Sequence, residues 1–229
     1  MVNMTQNLHN TIYPQLLDGI GCWLEIYNNL PLKKNTPALF LDRDGVIVED
    51  VHYLHKVSDV RLMEGISKLI LACNDINIPV IVVTNQSGIA RKLFTWNEFE
   101  EVEKAINIKL RNSGARIDMI LACGFHQNGK EPFNHSAHPW RKPLPGMLVK
   151  ASEIWPIDLK NSWLLGDKPS DLLAAKSAGL YNSTFIKRKI SLSHKQDIRS
   201  IIGKTFNVSI CRSISDCNFV IEQLKKINS

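Results

Sequence analysis

Short apolar runs alternate with stretches of helical periodicity from residue 38 to about residue 187. Each apolar run is too short for a helix and ends at a polar or turn-forming residue, which is the pattern of a buried strand. The predicted strands lie at 38–41, 79–83, 117–122, 162–166 and 183–186. The predicted helices lie at 65–76, 96–112, 145–154 and 171–178. This alternation predicts an α/β fold, a Rossmann-like parallel sheet with helices on both faces.

Local signals mark the ends of several of these helices. Thr95, with Glu98 three residues later, is a capping-box pair at the start of the second helix. Pro145 suits the first turn of the third helix, and Ser170 suits the N-cap of the fourth. Gly179 fits the C-terminal cap of that last helix.

The alternating stretch accounts for only part of the chain. We divide the chain into an N-terminal extension, a central α/β domain and a tail, at 1–36, 37–190 and 191–229. The segment Leu16 to Tyr27 is apolar enough to predict an amphipathic helix. The tail predicts a strand near 206–210 and a helix from about Ser215, both packed on the domain. The connections inside the central domain leave no room for a large cap domain.

Composition narrows the classes of function and partner. The 229 residues carry a formal net charge of +6 and 44% hydrophobic residues, which is ordinary for a chain with a sizeable core. The basic residues are dispersed, so we expect small anionic ligands and no nucleic-acid partner. The N-terminus has no signal-peptide core, no apolar run could span a bilayer, and the five cysteines show no paired spacing. We therefore expect a cytoplasmic protein without membrane contact, and a monomer.

Two carboxylates at the end of the first strand are the strongest chemical signal in the chain. The run at 38–41 ends in Asp42 and Asp44, and Gly45 follows. Ligand sites in open α/β sheets lie at the carboxyl ends of strands, and a buried strand end accommodates two carboxylates only with a partner or a metal. One carboxylate can serve as a nucleophile and the other as an acid, with a hard cation between them. An Asp-Gly turn is the structural alternative.

Polar groups end other predicted strands in the same way. Residues 84–88 (Thr-Asn-Gln-Ser-Gly) follow the second strand, Arg141-Lys142-Pro143 ends a long loop, and Gly166-Asp167-Lys168 ends the fourth strand. Each set by itself is compatible with a turn or with exposed charge. Their joint occurrence after strands predicts a catalytic edge of the sheet.

The motifs Asp-x-Asp-Gly, Thr-Asn, Lys and Gly-Asp-Lys together resemble those of the haloacid dehalogenase (HAD) phosphatase superfamily. Within it, VVTNQSGIAR at 82–91, RKPLPGM at 141–147 and GDKPSDLLAAKSAG at 166–179 are similar to heptose 1,7-bisphosphate phosphatases, with histidinol-phosphate phosphatases as the sister group. The resemblance covers roughly residues 38–188. It implies a HAD-like domain at 37–190 and a Mg²⁺-dependent phosphatase that forms an aspartyl-phosphate.

The resemblance also implies roles for individual residues. Asp42 would be the nucleophile and Asp44 the general acid and base, with Thr84 and Lys142 completing the catalytic set. Mg²⁺ would be held by the Asp42 carboxylate, the backbone carbonyl of Asp44, and Asp167. The residues implied to bind substrate are Asp50, His52, Tyr53, Asn85, Gln86, Ser87, Arg141 and Lys168.

The long loop at 123–141 departs from the family pattern. Family members carry zinc ligands there as Cys-x-His and Cys-x-Cys, whereas Phe125 and Trp140 occupy two of those positions here. A rearranged zinc site would have to be built from Cys123, His126, His135 and His138. We favour a loop without metal, because tetrahedral zinc needs four well-placed ligands.

The leading interpretation is a phosphatase whose partner is a small sugar phosphate, a heptose bisphosphate. A histidinol-phosphate phosphatase is the nearest alternative, and residues 53–55 (Tyr-Leu-His) and 84–91 favour the heptose. A polynucleotide end phosphatase is disfavoured because no basic groove with aromatic residues is evident, and a non-enzymatic binding protein because every catalytic position is filled. Arg141 beside Lys142 supplies more positive charge than one phosphoryl group requires, which predicts a preference for a bisphosphate.

Overall fold

The computed structural model describes residues 15–28 and 32–228 of the chain. Within these residues the strands are β1 (Cys22–Ile26), β2 (Leu39–Leu41), β3 (Val80–Asn85), β4 (Met119–Cys123), β5 (Trp163–Gly166), β6 (Asn182–Ile186) and β7 (Asn207–Cys211). The helices are α1 (Ile66–Asp75), α2 (Ser87–Ala90), α3 (Trp96–Arg111), α4 (Gly146–Ile154), α5 (Pro169–Ser177), α6 (Leu192–Ile201) and α7 (Asn218–Asn228). Short 3-10 turns lie at Val57–Asp59 and Ile214–Cys217.

The described strands form one sheet in the order β1-β4-β3-β2-β5-β6-β7. The neighbouring strands from β4 to β7 are parallel, and β1 runs antiparallel to β4. The order steps outward from β2 in both directions, so the crossover connections place helices on both faces. The predicted α/β fold with a mostly parallel sheet is confirmed.

Alternate residues of the central strands enter two hydrophobic cores. Leu39 and Leu41 of β2 lie in one core with residues of α1, α3 and α7, while Phe40 lies in the other with residues of α4, α5 and α6. The two-residue period of a strand sends successive side chains to opposite faces. Because both faces are covered, the central strands appear in the sequence as continuous apolar runs.

Helix α3 begins at the predicted capping box, and Gly179 after α5 has the left-handed φ of 86° that a C-terminal cap requires. The start of α5 differs from the prediction of Ser170 as N-cap, which was wrong. Lys168 is the N-cap residue, and its backbone N–H donates to Asp171 Oδ2 at 3.0 Å. Pro169 occupies the first helical position, where its fixed φ already suits a helix.

The segment at 22–26 is a strand, so the predicted amphipathic helix over Leu16 to Tyr27 is wrong. Strand β1 pairs along its full length with β4. Trp23 is fully buried and stacks on Trp96 of α3, with 5.4 Å between the ring centroids. Periodicity alone cannot separate helix from strand in a short apolar run. Here the segment is a strand because it pairs with the edge of β4 that β3 leaves free.

The tail adds α6, β7 and α7 to the same sheet and cores. The predicted strand and final helix are present, and α6 is an additional helix that begins at Ser191, whose side chain accepts the backbone N–H of His194. The longer connections among the described elements, at 42–65 and 124–145, are too short for a large cap domain. None of the described helices is both long and apolar enough to cross a membrane.

Candidate active site

The carboxyl ends of β2, β3 and β5 bring predicted catalytic residues to one edge of the sheet. Asp42 follows β2, Thr84 and Asn85 end β3, and Asp167 follows β5. Strand β2 lies between β3 and β5, so the three strand ends are neighbours. The backbone N–H of Asp42 donates to Leu165 O at 3.0 Å, which continues the β2–β5 pairing into the site.

Lys142 is buried beside Asp42. Its Nζ lies 2.9 Å from Asp42 Oδ1 and 2.6 Å from Asp171 Oδ1, and it donates to Val83 O at 2.7 Å. The Val83 carbonyl accepts a hydrogen bond from the ammonium group, and the two carboxylates form ion pairs with it. Burial opposes the charge, but the carboxylates of Asp171 and Asp42 raise the pKa of Lys142 above its usual value. Lys142 therefore remains a cation next to Asp42.

Asn85 holds the backbone of Lys142. Its Nδ2 donates to Lys142 O at 2.9 Å, and the Lys142 N–H donates to Asn85 Oδ1 at 3.0 Å. These two bonds join the end of β3 to the end of the long loop. The family resemblance implied that Asn85 binds substrate, and in the structure its amide binds the backbone of Lys142.

Asp44 is held by Arg43 and Gln86. Arg43 Nε and Nη2 donate to Asp44 Oδ1 at 3.1 and 2.9 Å, and Gln86 Nε2 donates to Asp44 Oδ2 at 3.1 Å. Gln86 Nε2 also donates to Thr84 Oγ1 at 2.9 Å. The Asp44 side chain is 18% exposed, so it can contact a ligand that binds at the open edge of the sheet.

Asp42 belongs to a cluster of three carboxylates. One oxygen each of Asp42, Asp167 and Asp171 lies within 4.8 Å of the others. Asp167 Oδ1 is buried and accepts no hydrogen bond from the described residues, with Lys168 Nζ 3.7 Å away, while Oδ2 accepts from Lys187 Nζ at 2.9 Å. Burial raises the pKa of Asp167, and Lys168 acts in the opposite direction. Buried carboxylate oxygens without a donor suit a hard cation such as Mg²⁺.

Sequence reasoning missed part of this cluster. Asp42 and Asp167 were expected as metal ligands, together with the Asp44 carbonyl, whereas Asp171 was not. Asp171 stands four residues after Asp167 and at the third position of α5. An acidic residue so close to a strand-end motif was the signal that could have found it. The other residues of the site that were missed are Arg43, Glu103 and Lys187.

A cavity of about 230 Å³ opens beside Asp44. Its lining residues are Asp44, Asp50, His52, Tyr53, Asn85, Gln86, Ser87, Gly88 and Lys168. The backbone at His52 and Tyr53 is left-handed, with φ of 54° and 66°, which marks a tight turn at the rim. The predicted substrate-binding residues other than Arg141 therefore share one cavity.

Arg141 lines a neighbouring cavity of about 410 Å³, together with Lys142 and His138. Its Nη1 donates to Phe125 O at 2.9 Å, which ties the side chain to the long loop. Asn85 of the first cavity bonds to Lys142 of the second, so the two openings lie side by side. Arg141 is thus close to the catalytic edge but separate from the other predicted substrate-binding residues.

The candidate zinc ligands of the loop do not gather into one group among the described residues; they are Cys123, His126, His135 and His138. Asp18, Cys22 and His138 form the three-ligand group at this edge. His138 Nδ1 accepts the Trp140 N–H at 3.2 Å, and its Nε2 lies 3.7 Å from Cys22 Sγ. Three ligands are one fewer than tetrahedral zinc requires. A loop without zinc therefore stays our prediction, which elemental analysis can test.

No family model matches the chain. A curated D-glycero-β-D-manno-heptose-1,7-bisphosphate 7-phosphatase from Mesorhizobium japonicum is 42% identical over 167 residues, 73% of this chain and 77% of the relative. The crystal structure of a HAD-like phosphatase from Mesorhizobium loti matches 93% of this chain and 98% of that chain, at 34% identity and a TM-score of 0.84. The D,D-heptose 1,7-bisphosphate phosphatase from B. bronchiseptica, complexed with magnesium and phosphate, shares the fold; it is 24% identical, with a TM-score of 0.67 over 83% of this chain and 99% of that chain.

The fold and the groups at its strand ends define a phosphatase of the HAD superfamily. At this identity and coverage, the chain belongs to the D-glycero-β-D-manno-heptose-1,7-bisphosphate 7-phosphatase family. The resemblance inferred from the motifs is thereby confirmed.

Proposed function

We propose that this chain is a Mg²⁺-dependent phosphatase that removes the 7-phosphate of D-glycero-β-D-manno-heptose 1,7-bisphosphate through an aspartyl-phosphate. The observation that supports it most directly is Asp42, fixed at the end of β2 between Lys142 and the carboxylate cluster. The substrate is supported by the name of the relative from Mesorhizobium japonicum.

Asp42 is arranged to attack phosphorus. Its Oδ1 accepts the Arg43 N–H at 2.8 Å and lies 2.9 Å from Lys142 Nζ, so we assign the attack to Oδ2. The bond from Oδ2 to phosphorus forms as the bond from phosphorus to the sugar oxygen breaks. Lys142 offsets the negative charge of the phosphoryl group beside Asp42.

Asp44 moves the protons. It lines the cavity of about 230 Å³, and 18% of its side chain is exposed, which allows a contact with the leaving oxygen. Acting as a carboxylic acid, Asp44 donates its proton to the sugar oxygen in the first step and is left as a carboxylate; in the second step that carboxylate takes a proton from the water that attacks the aspartyl-phosphate. Free phosphate leaves, Asp42 is again a carboxylate, and Asp44 is again a carboxylic acid.

Asp42, Asp167 and the Asp44 carbonyl would hold Mg²⁺, which neutralises charge on the phosphoryl oxygens when it is bound. Asp167 Oδ1 fits this role, because it accepts no hydrogen bond from the residues described and a cation would satisfy it. Asp171 Oδ1 lies 2.6 Å from Lys142 Nζ, so we assign Asp171 to positioning Lys142 and to supporting the metal ligands without binding the metal itself.

The substrate would occupy the cavity beside Asp44 and extend toward Arg141. Asp50, His52 and Lys168 at the cavity offer hydrogen bonds and charge to a polyhydroxylated sugar. Gln86, Ser87 and Tyr53 also line this cavity, and Thr84 lies beneath Gln86, whose Nε2 donates to Thr84 Oγ1. Arg141, in the neighbouring cavity, suits the phosphate that remains on the product.

The test is a phosphate-release assay with the heptose 1,7-bisphosphate, the heptose 1-phosphate and histidinol phosphate. We expect the bisphosphate to give the highest kcat/KM, with loss of turnover in EDTA and recovery on adding Mg²⁺. Histidinol phosphate as the best substrate would replace the proposed one. Full turnover in a chelated sample shown to be free of metal would refute the role of Mg²⁺.

A further inference from the structure

Arg43 lies between the two catalytic carboxylates in sequence and is buried, with 1% of its side chain exposed. Its guanidinium binds three acceptor side chains. Nε and Nη2 donate to Asp44, Nη2 also donates to Gln86 Oε1 at 3.2 Å, and Nη1 donates to Glu103 Oε1 at 3.0 Å. A planar guanidinium suits this arrangement, because its nitrogens point in fixed directions.

Glu103 reaches the site from outside the catalytic edge. It lies on α3, and 2% of its side chain is exposed. Its neighbours on the buried face of that helix include Phe99, Val102 and Ile106. Burial raises the pKa of Glu103 to about 7, and Arg43 acts in the opposite direction. A carboxylate buried among apolar side chains costs free energy, so packing alone would favour an apolar residue here.

Glu103 fixes the orientation of Arg43. It binds Nη1, whereas Asp44 binds the edge formed by Nε and Nη2, and the ring of Phe99 lies 5.4 Å from Arg43 Cζ. A guanidinium bound along one edge can still tilt. A guanidinium that is bound along two edges and covered by an aromatic ring is held in a single orientation. The orientation of the guanidinium in turn sets the orientation of the Asp44 carboxylate that it binds.

We propose that Glu103 is a positioning residue for phosphoester cleavage: it fixes Arg43, and Arg43 orients Asp44 toward the leaving oxygen. The inference rests on the proposed function, in which Asp44 protonates that oxygen. A displacement of about 1 Å can cost about 10²-fold in rate. Loss of Glu103 should therefore slow esters whose leaving group needs a proton and spare esters whose leaving group does not.

The test compares two esters by kcat/KM, which covers the steps up to departure of the leaving group. The heptose bisphosphate loses an alkoxide, which needs the proton, whereas p-nitrophenyl phosphate loses a stable phenolate. For Glu103→Ala we expect kcat/KM to fall about tenfold or more with the heptose and to stay within about twofold with p-nitrophenyl phosphate. Glu103→Gln keeps an acceptor for Arg43 Nη1, so it should show the same discrimination to a smaller extent.

Glu101→Ala is the matched control, because Glu101 lies on the same helix with 62% of its side chain exposed. Equal losses with both esters would overturn the inference, since a structural defect affects both, and so would unchanged values with both. If the alanine variant does not fold, as judged by circular dichroism, Glu103→Gln provides the same comparison.

Asp44→Asn separates this inference from the proposed function. That variant should lose far more activity with the heptose than with p-nitrophenyl phosphate. If it discriminates and Glu103→Ala does not, the positioning role of Glu103 fails and the role of Asp44 stands. If Asp44→Asn treats both esters alike, the proposed proton transfer fails, and the inference fails with it.

Discussion

The catalytic edge of the sheet and the edge that carries β1 bring residues together in different ways. At the catalytic edge, Asp42, Asn85 and Asp167 each stand at the carboxyl end of a parallel strand. At the β1 edge, Cys22 lies opposite Cys123 because two strands distant in sequence run antiparallel. The first arrangement follows from the order of elements along the chain, whereas the second depends on a pairing that no local motif marks. The groups proposed to react lie at the catalytic edge, so substitutions there should change turnover more than substitutions at the β1 edge.

The largest effect should come from Asp42→Asn. The variant keeps the shape of the side chain and removes the charge that attack and metal binding require. We expect turnover of the heptose bisphosphate to fall by about 10³-fold or more, with an unchanged circular dichroism spectrum. Asp197→Asn, at an exposed position of α6, is the control and should leave turnover intact. Substantial activity in Asp42→Asn would sink the assignment of the nucleophile.

Asp171→Asn should follow. It removes one of the two carboxylates that contact Lys142 Nζ, and that carboxylate is also a member of the cluster with Asp42 and Asp167. Loss of a group that supports metal ligands costs about 10–100-fold in metal affinity or activity. A titration of activity against Mg²⁺ should show a weaker apparent affinity. Unchanged turnover and affinity would mean that Lys142 needs only Asp42.

Asn85→Ala tests the link between the two regions, because Asn85 joins the end of β3 to the loop that leads back to β4. Two hydrogen bonds to the Lys142 backbone are lost, which should lower the free energy of unfolding by about 1–3 kcal/mol. Since Lys142 then sits less firmly, we expect kcat to fall about tenfold with every ester. Asn128→Ala, at an exposed position of the same loop, should change neither quantity. A change in KM alone would contradict a positioning role.

The smallest effect on the chemical step should come from Arg141→Ala, on the side of the site nearest the long loop. A charge-assisted contact to a second phosphate is worth about 1.5–3 kcal/mol, so the preference for the bisphosphate over the monophosphate should fall about tenfold or more. Hydrolysis of p-nitrophenyl phosphate should change little. Equal losses with all three esters would instead assign Arg141 to holding the loop through Phe125 O.

Most of the fold could be predicted because its strands are buried on both faces. The residues of β2 to β5 form apolar runs, and the helices between them show their own periodicity and caps. Strand β1 could not be predicted, since five residues carry too little periodicity and their partner lies far along the chain. Its conformation is decided by pairing with β4, which is a tertiary effect.

The candidate site divides in the same way. Asp42, Asp44 and Asp167 could be found because each follows a strand, and parallel strands meet at one edge. Glu103 could not, because it is one of several charged residues in the middle of α3, such as Glu101 and Lys104, and no motif distinguishes it. Its contact with Arg43 exists only once the helix packs on the sheet. Motifs thus reveal the groups that act, whereas packing reveals the groups that orient them.

Strand β1 also protects the sheet from unwanted association. Strand β4 reads Met-Ile-Leu-Ala-Cys, is buried at every position, and pairs on one side with β3 and on the other with β1. An uncovered apolar strand is a template on which a strand of another molecule can pair. A chain shortened to begin at residue 37 would keep the whole catalytic edge and yet expose that template. Aggregation, rather than any defect in chemistry, would then limit how much active protein survives.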